Sequence, residues 1–472
     1  MAASLANLDP VQAWQPADDA DWNLKWAAHL YRRAAFGFPA VDSKITASQS
    51  LQAAVKRGRA ACIDQLLAGG DGQDNFNGLM DELGRQIANR EAPRFRDPQR
   101  EKLQGWWLYR IYHTPHPLLE RCTLMWHNHF ATSIAKVGKS LMMYQQNLLL
   151  REHALGKFQP MLSGISRDPA MLVWLDSNSN IKGRPNENYA REIMELFSLG
   201  VGNYTEQDIR DVARAFTGWG ATGGQFVFNK ALHDNGEKSF LGATGNFDGD
   251  DVVRIIMKQP ATARFLARNM FREFVNEAEE PSDELIEPLA EQLRKSNYDI
   301  KSCLETMLRS RLFNSEQAYR MRIKSPVEYV IGITRSFDAN VSMEKLAKSM
   351  DGLGQTLFAP PNVKGWDGGR AWLNSATLLA RHNLAAKLVG GHDGNFPQAF
   401  DPAALDEKVG RNCVVKQTEY LLNLLLQNDV SDASRAKLLQ FAKSKEPEAK
   451  EQQSRLREVA HTILLMPEYQ LA

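Results

Sequence analysis

Apolar residues recur at helical spacing along most of the chain. Leu24, Ala27, Ala28, Tyr31 and Ala35 share one face, and Gly37 and Pro39 end that helix. The run LQAAVKRGRAACIDQLLAGG (51–70) reads as a second helix, stopped by its glycine pair. The same spacing predicts helices over 99–113, 117–135, 140–156, 186–199, 205–217, 250–258, 261–275, 283–296, 299–309, 325–337, 343–352 and 370–389. A last set covers 415–427, 432–443 and 450–465, with KSKEPEAKEQQSR (443–455) as a charged connector. Two stretches break the pattern. Residues 219–248 are rich in Gly and Asn, with QFVF and KSFLG as short strands and HDNG as their hairpin turn. Residues 354–369, GQTLFAPPNVKGWDGG, form a loop long enough to suggest function. The expected class is all-α: a large multi-helical single-domain bundle with one small β-hairpin excursion around 219–248. Residues 1–20 are expected as an extended segment, 21–390 as the helical core domain, and 391–472 as terminal helices packing on it.

A length of 472 residues would also accommodate two or three units. Hydrophobic residues make up 43% and charged residues 24%, the balance of a globular protein with ample core. Lys+Arg number 57 against 56 Asp+Glu, which argues against a broad nucleic-acid surface and against a polybasic membrane anchor. No apolar run approaches the roughly 18–20 residues of a membrane span. The opening MAASLANLDPVQAWQPADDADW has neither a basic n-region nor an apolar h-region. The expected location is cytoplasmic for a complete chain and periplasmic if a signal peptide has been removed. Cys62, Cys122, Cys303 and Cys413 are far apart and form no CxxC pair, so they read as buried thiols.

The candidate chemistry centres on LMWHNHF (124–130). On a helix, Leu118, Cys122, Met125, Trp126, His129 and Phe130 share one face, which aims His129 inward. His127 lies about 200° further round, so a regular helix cannot bring both imidazoles to one ion. The bland reading is a hydrogen-bonded core histidine, His129, beside a His127 that is either at the surface or backing its neighbours. The functional reading is a metal or catalytic site, and it needs a partner segment. GRPNENYAREIMELF (183–197) supplies one: Asn188, Arg191, Glu192 and Glu195 form its polar side, and Glu187 lies four residues before Arg191. Helical carboxylates facing an inward histidine are the raw material of carboxylate-bridged metal sites, although any solvated helix carries such pairs. His233 and Asp234, in the proposed turn, would add one nitrogen and one oxygen donor.

The stretches LYRRAAFG, TLMWHNHFATS, RDPAMLVWLDSNSNIKGRPNENYAREIMELFSLGVGNYTEQDIRDVARAFTGW, HDNGEKSFLGATGNFDGDDVVRIIMKQPATARFLARNMFREFV, IKSPVEYVIG and PPNVKGWDGGRAWLNSATLLARHN carry a family resemblance. They resemble the bacterial domain-of-unknown-function family numbered 1800, especially its planctomycete-type members. The likeness spans about 24–385, and LLMPEYQLA resembles the usual family ending. The resemblance implies no settled activity. It implies a product of a neighbouring sulfatase-like uncharacterised family as a partner. The motif positions matched are His127, Asn128, His129, Asn186, Glu187, Asn188, Arg191, Glu195, His233 and Asp234.

Two functions follow as expectations. The first is a metal-dependent enzyme, hydrolytic or oxidative. A divalent ion would be held by His127, His129, His233 and Asp234, with Glu187, Arg191 and Glu195 as catalytic groups. Asn128, Asn186 and Asn188, with Trp219, Trp366 and Trp372, would contact substrate. The second is a non-enzymatic scaffold for glycans or a partner. Trp219 in TGWG, and Trp366 and Trp372 in NVKGWDGGRAW, would border one cleft and stack on sugar rings. Against both stands the reading of these tryptophans as loop anchors. His129 is further expected to meet the 186–195 segment with Glu187 or Glu195 in reach.

Overall fold

Local capping signals start most of the helices where the apolar stripes begin. Asn23 accepts from the backbone N–H groups of Lys25 and Trp26 and opens Leu24–Ala34. Thr205 with Asp208, Asp248 with Asp251, and Ser325 with Glu328 form reciprocal capping boxes for Glu206–Ala215, Gly249–Ile256 and Pro326–Ser336. Pro117 occupies the first turn of Pro117–His129, where its missing N–H costs nothing. The computed structural model describes residues 4–38, 47–69, 75–89, 98–391, 394–396, 399–409, 413–443 and 449–472. Pro39, Gly70, residues 1–3 of the N-terminal segment and 444–448 of the charged connector lie outside them. No helix among the described residues is long and apolar enough to cross a membrane.

The chain is all-α with a small β excursion, as the periodicity predicts. Several boundaries differ from expectation. Gly58, at φ 89°, splits the expected 51–70 helix into Ala47–Arg57 and Arg59–Leu67. The helix expected to reach 135 ends at His129, because Phe130 leaves helical geometry (φ −97°, ψ 50°), and a further turn follows at Ile134–Val137. Helices Asn75–Ala88, Phe158–Ser166, Pro169–Trp174 and Ala403–Val409 were not anticipated. The N-terminal segment is not fully extended: it makes a 3-10 turn at Leu5–Asn7 and an α-helical turn at Pro10–Ala13, and Trp14 donates to the Leu285 carbonyl at 2.7 Å.

The excursion is two hairpins rather than one. Strand β1 (Trp219–Thr222) pairs antiparallel with β2 (Gln225–Phe228) across Gly223-Gly224, and β3 (Lys238–Phe240) pairs with β4 (Ala243–Gly245) across Leu241-Gly242. All four turn residues have positive φ, which a two-residue hairpin turn demands and glycine meets at least cost. HDNG is therefore no hairpin tip. It is the connector between the two hairpins, closed locally by the Gly236 N–H donating to Asp234 Oδ1 at 2.8 Å.

Buried apolar side chains form two clusters. One joins the 24–34, 188–195, 206–215, 260–274, 283–295 and 300–309 helices. The other joins the 98–113, 326–336, 375–390, 414–426 and 449–465 helices, so the terminal helices share a core with central elements. The 117–129 helix serves both: Leu118, Cys122, Met125 and Trp126 enter the first, and Leu124 the second. Residues 117–127 are all buried, which forces its polar members to find partners inside the protein.

A candidate ligand cleft beside the 117–129 helix

Two neighbours on this helix, Glu120 and Arg121, anchor separate charge networks. Glu120 accepts from Arg110 Nε at 2.6 Å, from Arg151 Nε at 2.6 Å and Nη2 at 3.1 Å, and from Trp107 Nε1 at 3.0 Å. Burial alone would raise its carboxyl, but Arg151 and Arg110 hold it at about 2. Arg121 faces the other way. It lies 2.7 Å from Glu273 and 3.1 Å from Glu328. Arg322 donates to both Glu328 oxygens at 2.7 and 2.8 Å and lies 3.3 Å from Glu273. Despite complete burial, Arg121 and Arg322 hold Glu328 far below the usual carboxylate range.

This second network floors a cleft of about 440 Å³. Its walls come from the 117–129 helix, the chain after Asn188–Glu195, Pro260–Phe274, and the loop carrying Val363 to Trp372. Glu277 joins the floor, one oxygen accepting from the Ile323 N–H and the other 3.9 Å from Arg322 Nε. Burial raises its pKa in spite of Arg322. The lining carries Arg121, Arg272, Arg322 and Lys364 against Glu195, Glu273, Glu277 and Asp367. Four positive and four negative side chains leave the cleft balanced.

Asn128 fixes the loop wall. Its Oδ1 accepts from the Trp366 N–H at 2.7 Å, and its Nδ2 donates to the Trp366 carbonyl at 3.3 Å. Gly365 sits at φ 82°, and a Cβ there would fall 2.2 Å from Asn128 Oδ1 and 2.5 Å from the Asn128 carbonyl oxygen. Only glycine lets the two backbones approach this closely. Trp366 and Trp372 are thereby seated in the wall, each almost wholly buried.

His129 is half-buried and lines the cleft. Its Nε2–H donates to the Phe197 carbonyl at 2.9 Å, since a carbonyl can only accept. Burial pushes the imidazole down to about 4, so the ring is neutral and Nδ1 carries the lone pair. The expected contact with Glu187 or Glu195 is corrected. The helix stops at Glu195, and the backbone beyond it presents the unpaired Phe197 carbonyl to His129 before any carboxylate can reach it. Glu195 lines the same cleft but accepts from the Tyr204 hydroxyl at 2.6 Å.

The remaining expected residues lie elsewhere. His127 is buried behind Trp366, edge-on to Trp107 (centroids 5.1 Å apart), with Nε2 unpartnered and its pKa pushed by burial to about 3. It is no surface residue. Arg191 pairs with Glu206 at 2.9 Å and with Glu187 at 3.4 Å, away from the cleft. Asn186 accepts from the Asn188 N–H at 2.9 Å and donates to the Ser179 hydroxyl at 2.7 Å, which is turn structure, and the Asn188 side chain is exposed. His233 Nδ1–H donates to the Thr217 carbonyl at 2.9 Å. Asp234 takes Arg214 Nε at 2.8 Å, a bond that holds its carboxyl at about 2. Trp219 packs against Phe216, Phe226 and Phe228 under the Arg167 guanidinium, so it does not share the cleft with Trp366 and Trp372. Among the described residues, no group of three or more His, Cys, Asp or Glu is placed to hold a metal ion.

Sequence reasoning missed Arg121, Glu273, Glu277, Arg322 and Glu328. A signal existed. In LLERCTLMW, NMFREFV and SPVEYVIGI, the charges of Arg121, Glu273 and Glu328 interrupt runs that are apolar on both sides, and such charges must be paired inside, whereas Glu277 and Arg322 sit in no such run.

A family model described as "Protein of unknown function (DUF1800)" matches residues 29–471. No curated protein and no solved structure matches the chain significantly.

Proposed function

The chain belongs to the DUF1800 family, whose description states no activity, and from that premise we propose that the cleft binds a neutral, polyhydroxylated ligand of the glycan class. The observation that supports this is the balanced charge of the lining. A multiply charged ligand would find only Lys364 or Asp367 unpaired and would otherwise have to break ion pairs already made at the floor, leaving a charge uncompensated. A hydroxyl both donates and accepts, so a neutral polyol can accept from Lys364 and Asn269 and donate to Asp367 without disturbing them. Asn269, Lys364 and Asp367 line the cleft, and among the described residues their side chains make no hydrogen bond or ion pair. Trp366 and Trp372 are seated too deeply to be open platforms, so they offer a flat edge and the polar groups carry recognition. The volume lies in the range of small-ligand sites, roughly 300–1,000 Å³.

Calorimetric titration with soluble neutral oligosaccharides, after retention screening on immobilised polysaccharides, tests this reading. Asn269→Ala and Asp367→Ala are each expected to weaken binding about tenfold, roughly the 1.4 kcal/mol of one lost hydrogen bond, with the melting temperature unchanged. Absence of binding to any neutral glycan would overturn the proposal.

One observation favours a metal-dependent enzyme as a second reading. His129 is neutral, its tautomer is set by a carbonyl, as metal-ligating imidazoles are commonly held, and Glu195 lines the same cleft. Elemental analysis of protein purified without chelator or His-tag separates the two: a stoichiometric transition metal lost in His129→Ala supports the enzyme.

A further inference from the structure

A second, smaller pocket lies apart from the cleft, where the 24–34 helix, Lys324, the 326–336 helix and Tyr469 meet. Its polar groups are almost all donors. Arg32 Nη1 donates to Gln427 Oε1 at 2.6 Å, while Arg32 Nε and Nη2 are buried without an acceptor. Tyr319 lies beside this guanidinium, and its hydroxyl donates to Asp429. The Tyr469 hydroxyl is buried and unpartnered, 3.3 Å from where a Cβ on Gly332 would sit. The Lys324 amine makes no hydrogen bond among the described residues and lies 3.7 Å from the Tyr469 ring centroid.

The acceptors nearby are few and mostly engaged. Glu328 lines the pocket, but its oxygens serve Arg322, Arg121 and the Ser325 N–H. Gln427 Oε1 is taken by Arg32. Ser336 donates to the Gly332 carbonyl at 2.7 Å. Burial first, and then Arg32 with Arg320 and Arg381 against the opposing Glu328, drive the Lys324 amine towards its neutral form. The free space is about 20 Å³, close to that of one small sphere. A single water can accept from at most two of these donors and leaves the others unpaired. A halide or formate ion only accepts, and its charge would let Lys324 stay protonated beside Arg32.

We propose that this pocket is a binding site for one small monovalent anion of the halide or formate class, held by Arg32, Lys324 and Tyr469. The site is independent of the glycan reading of the cleft.

The test uses the full chain. Melting temperature is followed in sodium chloride, and separately in sodium formate, against sodium gluconate at fixed ionic strength, since gluconate is too large to enter. The expected result is a saturable rise with chloride, with formate, or with both, which separates the two sources of the charge. Tyr469→Phe should shift the half-saturation concentration at least threefold upward, and Lys324→Met should abolish the rise. Bromide-soaked crystals should give an anomalous peak touching Arg32, Lys324 and Tyr469. If Lys324→Met fails to fold, Tyr469→Phe and the bromide peak decide. Identical melting in all three salts, an undiminished rise in Tyr469→Phe, or bromide peaks only elsewhere would overturn the proposal.

Discussion

At the scale of single residues, His127 shows how burial turns a polar side chain into a liability. It is fully enclosed, its Nε2 has no partner, and its pKa falls to about 3. A folded-state pKa below the unfolded value of about 6.5 means that the unfolded chain takes up protons first. The stability present above pH 6.5 is therefore lost as pH falls towards 3, at up to about 1.4 kcal/mol per unit. His127→Phe removes this loss. Its stability relative to wild type, from urea melts, should improve by about 2–3 kcal/mol between pH 7 and pH 4.5. Parallel curves for the two proteins would refute the assignment. The inward aim of His129 was legible, because an apolar stripe has a direction. Its partner was not, because a backbone carbonyl leaves no mark in residue type. The floor charges Arg121 and Glu328 were half-legible: the sequence shows that each needs a partner and cannot show which.

At the scale of elements, two positions give sharp expectations. Gly365 and Gly183 have nearly the same φ, 82° and 81°, yet a Cβ at Gly183 meets nothing within 4 Å. Gly183→Ala should cost only the left-handed backbone penalty of about 1–2 kcal/mol. Gly365→Ala adds a collision with Asn128 and should cost at least about 2 kcal/mol more, with Trp366 becoming accessible to fluorescence quenchers. Equal losses would show that the Asn128 clamp is dispensable. The helix Pro169–Trp174 starts on Asp168, whose Oδ1 accepts from the Met171 N–H and from Gln146 at 2.8 and 2.7 Å. Burial nonetheless raises this carboxyl to about 7. A raised acid contributes stability below its unfolded pKa and loses it as pH climbs through the folded one. Between pH 4 and pH 7, wild type should therefore lose on the order of 4 kcal/mol relative to Asp168→Asn, which keeps the cap acceptor. A pH-independent difference would count against it. The longer capped helices were readable in the sequence, whereas Pro169–Trp174, only six residues long, was not, despite its cap. The glycine break at 58 was not, since glycine is tolerated inside helices, and β1 was missed because WGAT shows no apolar alternation.

At the scale of the whole molecule, a chain of this length leaves room for two or three separate units, and two apolar clusters do exist. The 117–129 helix is their common wall, buried from Pro117 to His127 and bonded through Glu120 to one network and through Arg121 to another. Neither cluster can lose that wall and stay closed. The consequence is thermodynamic: the molecule should melt as one cooperative unit despite its two cores. Scanning calorimetry should give a single endotherm whose van't Hoff and calorimetric enthalpies agree, and two resolved peaks would show that the shared helix fails to couple them.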